Sequence, residues 1–114
     1  MPRVTLTKTN APGAYAGTST AVTLTAADTT NKEQFSLTGR ELLLIHNTGG
    51  SAYTWTATSV DDRLGRSENV AAESIAAGAI RVFGPIALEG WQQTDGNIYI
   101  EASNAAVQFG VIVI

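Results

Sequence analysis

The chain has 114 residues, seven basic and ten acidic for a net charge of −3, with 44% hydrophobic and only 15% charged residues. That is the length of one domain with enough apolar residues for one core, which excludes a disordered segment, and no Lys/Arg cluster is present to follow a phosphate backbone, so no nucleic acid is expected as a partner. Cysteine is absent, which removes disulfides and thiolate chemistry together, and neither a secretory leader nor a run of membrane-spanning length is read, so no membrane contact is expected either.

Fifteen threonines and seventeen alanines stand beside two lysines and one methionine. Threonine interleaved with apolar residues favours strands, because its branched Cβ packs well on a pleated surface. In chain order, alternation predicts one-sided strands at residues 4–7, 22–25 and 53–58, with threonines on the outward side. Residues 41–46, Glu-Leu-Leu-Leu-Ile-His, lie between Gly39 and Gly49-Gly50 and read as a strand buried on both sides. A hairpin to the Tyr53 strand is expected across that glycine-rich loop. Residues 69–73 leave a helical turn stopped by Gly78 as a minority reading. Residues 79–83 read as a strand ended by Gly84-Pro85. Asp95-Gly96 predicts a type I′ hairpin that pairs Trp91 with Ile100. In that register Trp91, Ile98 and Ile100 face the core, while Gln92, Tyr99 and Glu101 face away. The apolar end, residues 107–114, should be paired inside a sheet or an interface, since a free edge of that kind aggregates. The fold class is therefore all-β, a small antiparallel sandwich of jelly-roll or β-tulip type built from seven to nine strands. Residues 1–16 form either an N-terminal arm or a first strand, and residues 17–114 a single sandwich domain.

Little in the chain supports chemistry. His46 is the single histidine, too few for a multi-histidine metal cage, and at the end of an apolar strand it reads as a structural residue rather than a triad base. The loop holding Asp61, Asp62, Arg63 and Arg66 lacks the alternating carboxylates and sixth-position glycine of a calcium loop. No cofactor, metal or catalytic residue is assigned, and the chain is not expected to be an enzyme. Trp55 and Trp91 read as core plugs, leaving Tyr15, Tyr53 and Tyr99 for a protein contact or a sugar platform.

Two groups of segments carry a resemblance. The first runs from Leu37-Thr38-Gly39-Arg40 through the strand to His46-Asn47-Thr48-Gly49-Gly50, then to Tyr53-Thr54-Trp55 and Asp62-Arg63-Leu64-Gly65-Arg66. The second runs from Ile75-Ala76-Ala77-Gly78 through Val82-Phe83-Gly84-Pro85 to Trp91-Gln92-Gln93-Thr94-Asp95-Gly96. Together they resemble the decoration, or cement, proteins of tailed bacteriophage heads over roughly residues 20 to 114. The resemblance implies a homotrimer on the outer surface of the virion, assembled in the bacterial host cytoplasm. Its partner would be the major capsid protein of the expanded head, whose lattice it would stabilise. Within that expectation Arg3, Val4, Leu6 and Lys8 form an arm that adds a strand to a neighbour. Deleting residues 2–12 should then weaken binding without unfolding the domain. Arg63, Arg66, Glu89, Gln92 and Tyr99 are secondary contact candidates, and the apolar sheet face or the last strand would join sister subunits. The competing readings are a carbohydrate-binding or host-adhesion module and, more remotely, a small hydrolase dependent on His46.

Overall fold

The computed structural model describes residues 3–13, 17–61, 64–65 and 69–114, and among these there is no helix. Ten strands are present: β1 (Val4–Thr5), β2 (Lys8–Asn10), β3 (Thr25–Ala26), β4 (Glu33–Ser36), β5 (Glu41–Asn47), β6 (Tyr53–Thr58), β7 (Val70–Ile75), β8 (Ile80–Phe83), β9 (Asn97–Ala102) and β10 (Val107–Val113). They form two sheets, one in the order β1-β4-β9-β6-β7 and the other in the order β2-β10-β5-β8, with β3 also paired to β10. From β3 onward the chain changes sheet at every step except β6 to β7, so that β3, β10, β5 and β8 face β4, β9, β6 and β7. This is jelly-roll order. The two added N-terminal strands make both sheets mixed, because β1 runs parallel to β4 and β2 parallel to β10.

The period-2 pattern places the core. Phe35, Trp55, Ala57, Ile75, Ile98 and Ile100 point inward from the first sheet, and Leu43, Ile45, Val107, Phe109 and Val111 from the second; all are buried. Burying each of the larger side chains stabilises the fold by roughly 1.5–3 kcal/mol relative to leaving it in water. Trp55 and Trp91 meet through Phe83, with edge-on ring contacts at 5.3 Å on either side of it. Trp55 is a core plug, whereas Trp91 closes the sandwich from a loop.

Several local expectations are corrected. Residues 41–47 and 53–58 do form strands, but in different sheets, so the connection between them is an arch and no hairpin. Asn47 explains the crossing. Its side-chain amide, buried at the end of β5, donates to the Ser51 and Ile75 carbonyls at 2.8 and 2.9 Å, while its oxygen accepts the Gly49 N–H. That anchors the chain to the opposite sheet. Asp95-Gly96 is a turn of another kind: Gly96 N–H donates to the Gln93 carbonyl and Gln93 N–H to the Asn97 carbonyl. Only Gly96, at φ 88°, is left-handed, so this is a three-residue loop closed by a glycine bulge instead of a type I′ turn. Trp91 and Gln92 consequently do not pair with β9 but belong to a turn whose N–H groups bond the Leu88 carbonyl. Residues 70–75 are a strand and no helical turn, and the 22–25 strand shrinks to β3.

Candidate interaction surface

The N-terminal residues are bound into their own domain. Val4 and Thr5 pair with Glu33 and Gln34, and Lys8 to Asn10 pair with Val111 to Val113, so the segment straps one edge of both sheets. Between the two strands Leu6 is buried in the core. Arg3 donates to the Glu33 and Ile100 carbonyls, both at 3.1 Å, and its guanidinium lies 4.3 Å from the centroid of the Tyr99 ring. Lys8 bonds the Glu41 carboxylate at 2.8 Å. Burial works against the Glu41 charge, but Lys8 and the amide and hydroxyl of Thr38 reverse this and hold its pKa at about 2.

The other candidates that the structure describes, Glu89, Gln92 and Tyr99, have separate surroundings. Arg63 and Arg66 lie outside the described residues, as do Asp62 and Tyr15. Glu89 is exposed in the loop before Trp91. Gln92 is turned inward and donates to the Leu37 carbonyl at 3.1 Å. The Tyr99 hydroxyl donates to Asp95 at 2.6 Å, a bond that lowers the Asp95 pKa and raises that of Tyr99. Tyr99 is therefore flanked by Arg3 on its ring and Asp95 at its tip. Among the described residues no three His, Asp or Glu side chains come together as metal ligands.

What the structure does assemble is a molecule with two unlike faces. Outward from the first sheet point Gln34, Ser36, Thr54, Thr56, Thr58, Ser74, Asn97, Tyr99 and Glu101, placed side by side by the strand registers. This face is polar throughout. Outward from β8, β5 and β10 point Ile80 and Val82, then Leu42, Leu44 and His46, then Gln108, Gly110 and Ile112. No acid, lysine or arginine is among those eight, although the chain carries ten acids. Val82, Leu44 and Gly110 form one cross-strand row. A side chain at Gly110 would meet Leu24 Cδ2 at 2.6 Å and Val22 Cγ1 at 3.1 Å, so residues 22–24 lie across the β10 end of this face. That crossing is why the threonine pattern there does not extend β3. The β8 end stays open, with Ile80 63% and Val82 59% exposed.

The sequence marks the β8 strand but not its exposure. The apolar run 42–45 predicts cover on both sides, yet Leu42 and Leu44 are only half-buried. Alternation in residues 80–83 was available as a signal, but with apolar residues on both sides of the strand it does not say which side meets water. Comparison of the chain with protein-family models, with curated proteins and with solved structures finds no match.

Proposed function

We propose that this protein is a capsid decoration protein of a tailed bacteriophage, which adheres to the outer surface of the expanded head and stabilises the major capsid lattice. One observation carries the reading: the jelly roll presents a polar face on one side and an acid-free aliphatic face, open at Ile80 and Val82, on the other. A protein that coats a shell needs such a division, one side for water and one for the protein beneath. Contiguous exposed apolar surface on a small domain marks a protein contact more often than a catalytic site. The turn and strand segments that resemble decoration proteins add to this independently. In this reading the adhesive surface is the aliphatic face and not an extended arm.

Binding only the expanded lattice would stabilise that state by the difference in affinity, and copies linked on the shell would turn weak contacts into strong attachment. The test is to mix the purified protein with decoration-free heads before and after expansion. Saturable binding to expanded heads alone is expected, together with greater resistance of those heads to heat. Equal binding to both forms, or to neither, would refute the reading.

A further inference from the structure

We propose that the β8 edge pairs with the β8 edge of a second copy, antiparallel about a two-fold axis at Val82, joining two aliphatic faces into one continuous surface. This goes beyond the decoration reading and does not depend on it. The two sheets have four edges. A bare strand edge carries unpaired N–H and C=O groups, and folded proteins cover, bend or charge such edges. On one side the outer strands are β1, β2 and β3, only two or three residues long and too short to template a partner strand. The β7 edge is bent: its register against β6 slips by a bulge between Trp55 and Ala57, and Ala72 is left-handed at φ 50°.

Among the described residues β8 is neither covered nor bent, and its one charge, Arg81, is engaged by Glu73 of the same chain. Its four residues keep an unbroken register with β5, and Ile80 and Val82 are the most exposed large aliphatic side chains of any described strand.

Charge and side-chain direction choose the register. In a two-fold antiparallel pair, opposite residues point to the same face. An axis at Arg81 would set two guanidinium groups directly against each other, which is destabilising. An axis at Ile80 would leave most of the strand unpaired. An axis at Val82 sets Val82 against Val82 of the second copy and Arg81 against Phe83 of the second copy, a cation beside an aromatic ring in both directions. Arg81 keeps its ion pair with Glu73 at 3.2 Å in its own chain. The row of Leu44 and Val82 then continues into the same row of the second copy.

Size sets the strength. Four residues span about 13 Å, an edge well short of the ~800 Å² per partner of a standard stable interface, so the dimer should form at high concentration and dissociate on dilution.

Sedimentation between about 10 µM and about 1 mM should show the mass rising from monomer towards dimer. Val82→Lys should remain monomeric with an unchanged melting temperature. Because the chain has no cysteine, single cysteines report the register. Val82→Cys should form a disulfide-linked dimer under mild oxidation. Ile80→Cys should not, since its copies would stand four residues, about 13 Å, apart. A monomer at every concentration, a trimer, or equal cross-linking at both positions would overturn the proposal. Head binding is measured on the unaltered chain: a chain that is monomeric at every concentration yet binds expanded heads would sink the dimer and leave the decoration reading standing, so the two fail separately.

Discussion

Two buried carboxylates respond to pH in opposite senses. Glu41 has its pKa lowered from the ordinary 4.5 to about 2, so its contribution is complete above pH 4.5 and is lost as pH falls from there towards 2. That contribution is roughly 3 kcal/mol at neutral pH. Glu33 is raised, chiefly by burial and also by the nearby Asp28 charge, against the Asp28 N–H that bonds it and the more distant Arg3 and Lys32. Its charged form is therefore the costly one, and stability is lost as pH rises through its folded pKa. Its Oε1 and the Asn31 Oδ1 are both buried without a donor, which is consistent with that cost. We expect Glu41→Gln to lower the melting temperature at pH 7 and to match the parent near pH 2. Glu33→Gln should raise it by a few degrees at pH 7, with the gain shrinking as pH falls below the Glu33 pKa. Thermal unfolding of both variants across pH 2–7 checks the signs, and a loss of stability in Glu33→Gln at pH 7 would contradict this account.

The N-terminal strap links sequence to stability at the scale of an element. Leu6, buried between β1 and β2, plugs the edge where the two sheets part, so Leu6→Ala should cost about 2–5 kcal/mol in denaturant unfolding. Removing residues 2–12 should destabilise the whole domain, because it also strips Lys8 from the buried Glu41. A truncated chain that unfolds like the parent would show that the strap is dispensable. Residues 4–7 already read as a strand because Val4 and Leu6 alternate with threonines. The choice between arm and strap was not legible, since the strap's partners, Glu33 and Val111, are fixed only when the sandwich forms. The same limit applies to the arch. Gly49-Gly50 marks a change of direction, but whether the next strand joins the same sheet depends on Asn47 reaching Ile75 across the core.

For the whole molecule, the strap, both sheets and Leu6 share one core, so calorimetry should give a single transition with equal calorimetric and van't Hoff enthalpies. A separate transition at lower temperature, abolished by deleting residues 2–12, would mean that the strap melts on its own. The class of fold was legible because threonine alternation and turn residues are local signals. The two faces were legible only in part. The polar one is written in Thr54, Thr56 and Thr58, whereas the aliphatic one hides in Leu42, Leu44, Ile80 and Val82, which read as ordinary core until the strand order leaves them without cover.

β10 lies between β2 and β5, so a central strand of the second sheet is the last one made. On the ribosome β2 and β5 have no neighbour to hold them apart until residues 107–113 emerge, and the sheet then closes around its newest segment. With synthesis at about 5–20 residues per second, β5 waits several seconds with its leucines unshielded, an interval in which a chaperone or a sister chain can reach them first.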